Sequence, residues 1–79
     1  MQKMIIAVRL INRRENSVNF QDVVAKYGDI IKLRIGMSDE PNHGLIMLYT
    51  EAEKSDTEEL IRELKTVEGM SMNIMEAPR

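Results

Sequence analysis

Two apolar runs separated by a short polar stretch constrain the fold of this chain more than any other feature. Residues 30–37 and 45–49 are rich in aliphatic side chains, and residues 38–44 between them include a Pro, an Asn, a Gly and two acids. Such a pattern is typical of two strands joined by a loop longer than a two-residue turn. The centre of the sequence therefore predicts a β-hairpin.

The segment before this hairpin predicts a strand and a helix. Residues 4–11 are almost continuously apolar and have the length of a buried strand. Residues 12–17 predict a polar loop that ends in a helix N-cap at Asn16 or Ser17. A helix face follows at the spacing i, i+3, i+4, i+7, and Gly28 is the residue expected to end it. The four positions of this face are Phe20, Val23, Val24 and Tyr27.

The segment after the hairpin predicts a second helix and a last strand. Ser55 and Glu58 have the spacing of a capping box, which marks a helix start. Gly69 is the expected stop of that helix, and residues 70–75 alternate as a strand does. The apolar stripe of the helix consists of Leu60, Ile61, Leu64 and Val67.

The order strand–helix–strand therefore occurs twice in a row. Right-handed crossovers then lead to an α+β fold, the ferredoxin-like βαββαβ plan, with a four-stranded antiparallel sheet and two helices on one face. Seventy-nine residues make one domain, so residues 1–79 are expected to form it alone. In this plan the first and third strands are central, which agrees with their being apolar on both faces.

The two edge strands are expected to be apolar on one face only. In the second strand, the alternation predicts that Ile31, Leu33, Ile35 and Met37 face one way. Its other face carries Ile30, Lys32, Arg34 and Gly36, and the fourth strand has Ser71 and Asn73 on its second face.

The central strands also predict an apolar surface that no helix covers. A contiguous apolar patch of this kind is unusual on a small monomer. We therefore expect a partner on the open sheet face, most simply a second copy, in a homodimer or homotetramer. The alternative is an apolar face that stays solvated. The side chains concerned are Ile5, Ala7, Ile11, Leu45, Met47 and Tyr49, or the opposite set.

Composition excludes several classes of function. There is no cysteine, and the single histidine, His43, has only Asp39 and Glu40 nearby, which is no recognised ligand pattern. We expect no metal and no cofactor. A formal charge of −2 and only three aromatic residues argue against nucleic-acid binding by this chain alone. The longest apolar run, residues 4–8, is too short to cross a membrane.

The residues also argue against an enzyme. No Ser or Thr lies near His43 in a familiar nucleophile motif, so no catalytic residue is predicted. Small-molecule binding remains. Asn12, Arg13 and Arg14 follow the first strand and offer hydrogen-bond donors to an anion, while Arg34 and Gly36 lie on the edge strand. The alternative is that these are ordinary surface charges.

The same landmarks resemble a known family, the small ACT-like proteins called iron-only hydrogenase system regulators. The resemblance covers nearly the whole chain, and its most specific parts are the Asn-Arg after the first strand and the Tyr-Gly-Asp-Ile-Ile…Arg-x-Gly run. The matching segments are Ile11-Asn12-Arg13, Tyr27-Gly28-Asp29-Ile30-Ile31, Arg34-Ile35-Gly36-Met37, Leu45-Ile46-Met47-Leu48 and Val67-Glu68-Gly69-Met70.

This family is similar in fold to ACT domains and to the C-terminal domain of the nickel-responsive repressor. The resemblance implies a cytoplasmic homo-oligomer with a regulatory role, which senses a small anionic or amino-acid-like effector or binds another protein. Met37 and Ser38 follow Gly36 where family members commonly have a Pro. The repressor's nickel ligands and DNA-binding segment have no counterpart here, so neither activity is carried over. The alternatives are a purely structural assembly module and a ferredoxin-like monooxygenase or isomerase.

Overall fold

The computed structural model describes residues 1–38 and 40–78, and its element order confirms the predicted βαββαβ ferredoxin-like fold. The strand order in the sheet is β2-β3-β1-β4, and each neighbouring pair is antiparallel. The central strands are thus the first and the third, as expected. The elements are β1 (Gln2–Leu10), α1 (Arg13–Lys26), β2 (Ile31–Met37), β3 (Gly44–Ala52), α2 (Lys54–Leu64) and β4 (Met70–Glu76).

The core lies between one face of the sheet and the two helices. Successive side chains of a strand point to opposite faces, so every second residue of β1 and β3 turns toward the helices. From Ile6 onward in β1 and from Ile46 onward in β3, these residues are at most 7% exposed, and both helices contribute to the same cluster. The strands supply Ile6, Val8, Leu10, Ile46 and Leu48, and the helices supply Phe20, Val23, Val24, Leu60 and Leu64.

A β-bulge in β2 changes which of its side chains face the helices. Ile31 pairs with Thr50 and Leu33 with Tyr49, so Lys32 is an extra residue on this strand. Ile31 consequently packs against the core, whereas Leu33 and the residues that alternate with it face away. The prediction that Ile31 shares a face with Leu33, Ile35 and Met37 is therefore wrong.

Helix α1 begins at Arg13, which is four residues before the start that an N-cap at Asn16 would give. Residues 13–17 are helical rather than a loop, and Asn12 precedes them with a left-handed φ of 50°. The cap comes from the β2–β3 connection. The Arg13 amide donates to the Asn42 carbonyl (2.7 Å), and the Arg14 amide donates to Asn42 Oδ1 (3.0 Å). Asn42 therefore satisfies amides that a helix start leaves unpaired, and neither Asn16 nor Ser17 is the N-cap.

Helix α2 begins without the predicted capping box. Ser55 lies inside the helix, and Glu53 is the N-cap residue with no side-chain capping bond. The Glu53 carbonyl instead accepts hydrogen bonds from the Thr57 hydroxyl (3.3 Å) and from the backbone amides of Asp56 and Thr57. The helix ends at Leu64 rather than at Gly69, which has a φ of 68° in the turn before β4. A Cβ on Gly69 would lie 3.0 Å from the Ile11 carbonyl oxygen, so this turn requires glycine.

The C-terminal ends of the two helices meet at one carboxylate. Glu63 on α2 accepts hydrogen bonds from Lys26 Nζ (2.7 Å) and from the Tyr27 hydroxyl just after α1. The hydrogen bond from Lys26, followed by that from Tyr27, lowers the pKa of Glu63. The bond to Glu63 and then desolvation raise the pKa of Tyr27 to about 12.

This contact gives a testable pH dependence. We expect the pKa of Tyr27 to lie at about 12, above the ordinary tyrosine value of 10.0, because its hydroxyl donates a hydrogen bond to the carboxylate of Glu63. A pKa raised by folding stabilises the fold below pH 10, and this contribution is lost as the pH rises from 10 through 12. Near-ultraviolet absorbance of a Tyr49→Phe variant measures the midpoint, because Tyr49 is the other tyrosine. Adding Glu63→Ala should return it toward 10, and an unchanged midpoint would contradict this assignment.

Candidate functional site

A cleft of about 240 Å³ opens between the first half of α1, the end of β2 and the start of β3. Three buried apolar side chains, Leu10, Phe20 and Ile46, contribute to its lining. The polar lining combines two guanidinium groups, two hydroxyls and one carboxamide. These belong to Arg13, Ser17, Gln21, Arg34 and Ser38.

Arg13 is held between the helix and the end of β2. It is the first residue of α1, and its guanidinium donates a hydrogen bond to the Ser38 hydroxyl. Its aliphatic stem passes close to Gly44, because a Cβ on that glycine would lie 3.4 Å from Arg13 Cδ. Packing against the start of β3 therefore directs this charged side chain along one side of the cleft.

Arg34 reaches the cleft because of the bulge in β2. It pairs with Leu48, whose side chain is in the core, so Arg34 lies on the helix side of the strand. Its guanidinium donates to the Gln21 carboxamide oxygen on α1. Among the residues that the structure describes, neither Arg34 nor Arg13 is paired with a carboxylate. Within that part of the chain, both guanidiniums donate to neutral acceptors.

Gly36 keeps one wall of the cleft open. A Cβ on Gly36 would lie 3.9 Å from Ile46 Cγ1, which is an ordinary van der Waals contact. Sterics and backbone conformation therefore do not demand glycine at this position. A larger side chain would instead occupy the space that the cleft now has.

Three of the five residues predicted for a ligand site come together here, namely Arg13, Arg34 and Gly36. Asn12 does not line the cleft, and its carbonyl accepts the amides of Glu15 and Asn16 in the turn into α1. Arg14 is also outside the cleft, with its side chain exposed.

Sequence reasoning missed the neutral polar residues of the lining. Ser17 and Gln21 follow Arg13 by one and two turns, so the three share a helix face. That spacing would have identified both residues as neighbours of Arg13 if the predicted helix had begun at Arg13. Ser38 gives no comparable signal, because it follows the last residue of β2 and is recruited by Arg13.

The sheet face opposite the helices is a second candidate surface, here called the open face. The register across β2, β3 and β1 aligns its side chains in three rows, in which all members but Arg9 are apolar. Four of them, Leu33, Ile35, Met37 and Met47, are between 41% and 54% exposed. The rows are Leu33–Tyr49–Ile5, Ile35–Met47–Ala7 and Met37–Leu45–Arg9.

The edge strand β4 limits the open face on one side. Met75 extends the first row and is 52% exposed, whereas Asn73 and Ser71 extend the other two. The apolar surface is thus centred on β3, where a hollow of about 220 Å³ lies between its side chains. Of the two opposite sets that the sequence allowed on this face, the structure has the one with Ile5, Ala7, Leu45, Met47 and Tyr49, while Ile11 lies beyond the end of β1.

The β2–β3 connection shows no metal site in its described part. His43 Nδ1 lies 2.8 Å from Glu40 Oε2, and Asp39, the other nearby acid in the sequence, is outside the described residues. Within residues 1–38 and 40–78, no three His, Asp or Glu side chains gather as metal ligands would. Over those same residues, no helix has the length and apolar character needed to cross a membrane.

Comparison with known proteins shows the fold and nothing finer. No protein-family model and no curated protein matches the chain. The uncharacterized protein TM1266 from Thermotoga maritima superposes with a TM-score of 0.87 over 98% of both chains, at 17% identity. The C-terminal domain of MgtC from Mycobacterium tuberculosis gives 0.63 at 11% identity, over 98% of this chain and 88% of that one.

A third similar structure is an enzyme. SnoaB, a cofactor-independent oxygenase from Streptomyces nogalater, gives a TM-score of 0.63 at 6% identity, over 100% of this chain and 96% of its own. At sequence identities this low, the similarity extends to the backbone fold only. The chain is therefore similar in fold to small ferredoxin-like domains.

Proposed function

We propose that this protein is an ACT-like regulatory domain that binds a small anionic effector and works as a homo-oligomer. The observation that carries the proposal is the cleft beside α1, where Arg13 and Arg34 keep neutral partners around an apolar floor. The link to an iron-only hydrogenase system rests on the resemblance of the sequence landmarks.

The electrostatics of the cleft favour an anion. Each guanidinium has five N–H donors, so one bond to Ser38 or Gln21 leaves others for a ligand. Bonds from guanidinium to an anionic oxygen are about twice as strong as those to neutral acceptors. An anion entering the cleft would therefore improve the interactions of both arginines.

The lining supports binding rather than catalysis. Among the described residues that line the cleft there is no His, Asp or Glu to act as a general acid or base. Ser17 and Ser38 have hydroxyls, but the described part of the lining holds no base to activate them. We therefore propose that the domain senses its ligand without transforming it.

The proposed oligomer uses the open face, with a second copy as its occupant. A flat apolar sheet is self-complementary, which a two-fold interface requires. Lys3 and Glu51 are paired in register at one end of the face, so each copy offers both charges to its partner. Neighbouring strands lie about 4.8 Å apart, and residues along a strand are about 3.3 Å apart. A patch four strands wide and seven residues long therefore has an area of about 440 Å². Two copies would bury roughly 900 Å², near the lower limit for a specific interface, so micromolar dissociation is expected.

Strand β2 connects the cleft to the open face. Arg34 and Gly36 turn toward the cleft, and Leu33 and Ile35, which alternate with them, turn toward the proposed partner. A ligand that shifts β2 would move both sets of side chains together. Two sites that bias one element are the minimum needed for regulation by a ligand.

A thermal-shift screen with amino acids, nucleotides, small carboxylates and phosphate tests the proposal. A ligand at 100 times its Kd should add about 2.7 kcal/mol, because it binds only the folded state. For a domain of this size that corresponds to a rise of roughly 10 °C or more in Tm. Arg13→Ala and Arg34→Ala should abolish the shift.

The matched control is Arg14→Ala, which removes the same charge from the neighbouring position outside the cleft. It should leave the shift intact. A ligand shift that survives both cleft variants would refute the site. If no ligand shifts the Tm and the protein is a stable oligomer, the alternative of a structural assembly module is favoured. The exposed apolar rows of the open face also support that alternative.

A further inference from the structure

We infer that the effector is a small carboxylate with a short apolar body and without a cationic group. The inference rests on the proposed function, because it names the ligand class of the same cleft. Three properties of the lining carry it: its volume, its apolar floor and the sign of its charges.

The volume of the cleft sets the size of the ligand. About 240 Å³ is less than the roughly 300–1,000 Å³ of sites that enclose drug-sized molecules. A nucleotide would leave most of its base or its sugar outside. The cleft can surround only a compact molecule, such as an organic acid of a few carbons.

The apolar floor separates an organic acid from an inorganic anion. Leu10, Phe20 and Ile46 line the cleft, but Phe20 and Leu10 are 0% and 1% exposed, so the apolar surface open to a ligand is small and comes chiefly from Ile46, which is 7% exposed. A hydrocarbon body placed against them would lose contact with water, which favours binding. Phosphate has no such body, so it would use the arginines and leave the floor empty.

The arginines select the headgroup. The planar fork of a guanidinium matches the two oxygens of a carboxylate. Arg13 approaches from the start of α1 and Arg34 from β2, so a headgroup between them can accept from both elements. The Ser38 hydroxyl and the Gln21 carboxamide, now their acceptors, would be released or would bind the ligand themselves.

The same charges disfavour an amino acid. An α-ammonium group would enter beside two guanidiniums, and the described lining contains no Asp or Glu to neutralise it. Burying a cation without a counter-charge is costly, and like charges nearby add to the cost. A 2-oxo acid should therefore bind better than the amino acid with the same carbon skeleton.

Isothermal titration with four probes tests this inference. The matched pair is 4-methyl-2-oxopentanoate and leucine, and the other two probes are inorganic phosphate and AMP. We expect the oxo acid to bind at least about tenfold more tightly than each of the other three, which corresponds to about 1.4 kcal/mol. Arg13→Ala and Arg34→Ala should each abolish binding of the oxo acid. Gly36→Val, which fills the cleft, should also abolish it, whereas Arg14→Ala should retain it.

The possible failures are distinguishable. If leucine, phosphate or AMP binds as tightly as the oxo acid, and binding still needs Arg13 and Arg34, the inferred ligand class is wrong and the proposed site stands. If none of the four binds, the anion that the wider screen yields through both arginines decides: a small carboxylate without a cationic group supports the inferred class, and any other anion shows that the class is wrong. If no anion binds through these arginines, the proposed function fails together with the inference. Circular dichroism confirms that each variant is folded, and Arg34→Lys replaces Arg34→Ala if the alanine variant is not.

Discussion

Replacing Met47 by Glu is expected to convert the proposed oligomer into a monomer without unfolding the domain. Met47 lies in the middle row of the open face, between Ile35 and Ala7 in register, and is 41% exposed. In the proposed dimer a second copy would bury this carboxylate without a counter-charge, and the two-fold axis would place two of them in one interface. Since the side chain is exposed in the single chain, stability of the monomer should change by only about 0.5 kcal/mol.

Sedimentation equilibrium at micromolar concentration measures this effect. The matched control is Val18→Glu, because Val18 is an exposed apolar residue on α1, 64% accessible, and is not on the sheet. It should keep the mass of the unchanged protein. If Met47→Glu also keeps that mass, the interface lies elsewhere. If the unchanged protein is itself a monomer, the open face awaits a different protein and the homo-oligomer proposal falls.

Replacing Phe20 by Ala is expected to remove most of the stability of the fold. Phe20 is 0% exposed and packs in the single core cluster between the helices and the sheet. Such a truncation costs about 3–5 kcal/mol, because burial is lost and a cavity remains. A domain of 79 residues has about 4–12 kcal/mol in total at the usual value per residue. The same change also removes part of the cleft lining.

Urea denaturation followed by circular dichroism gives the free energy of unfolding. Val18→Ala is the control, because it shortens an exposed side chain on the same helix and should change stability by only about 0.5 kcal/mol. Phe20→Leu keeps most of the buried volume and should cost clearly less than Phe20→Ala. Equal losses for the leucine and alanine variants would contradict buried volume as the source of the effect.

The fold could be predicted because hydrophobic periodicity is a local property. The runs at residues 4–11 and 45–49 are mostly apolar on both faces, a pattern that favours central strands of a sheet. The stripe of α2, with Leu60 and Leu64 fully buried, also follows from spacing alone. Two strand–helix–strand units with right-handed crossovers then leave few topologies.

The start of α1 and the bulge in β2 could not be predicted, because distant residues decide them. Asn42 caps α1 from 28 positions away, which no local cap rule can detect. Ser55 has good capping-box spacing, but α2 starts at Lys54, directly after Glu53 and close to the end of β3. The bulge at Lys32 likewise depends on the pairing of β2 with β3, and it alone reverses the face of Ile31.

The candidate site was predictable only in part for the same reason. Arg13, Arg34 and Gly36 were found because the topology brings the end of β1 near the edge strand. The bulge then determines that Arg34 faces α1, and the early start of α1 brings Ser17 and Gln21 into the lining. The two arginines could be predicted from the sequence because their charge marks them as candidate anion ligands. Their neutral acceptors, Ser38 and Gln21, could be identified only from the contacts in the structure.

The cap that Asn42 provides for α1 has a consequence for the order of folding. It joins residues far apart in the sequence, so its bonds form only after the β2–β3 connection has closed against the chain. Short helices are marginal on their own in water. We therefore expect the first turn of α1 to form late, after the hairpin has paired, whereas α2 can start from the local Glu53 carbonyl. The two similar halves of this chain would then fold by different routes, with the slower, non-local step in the first.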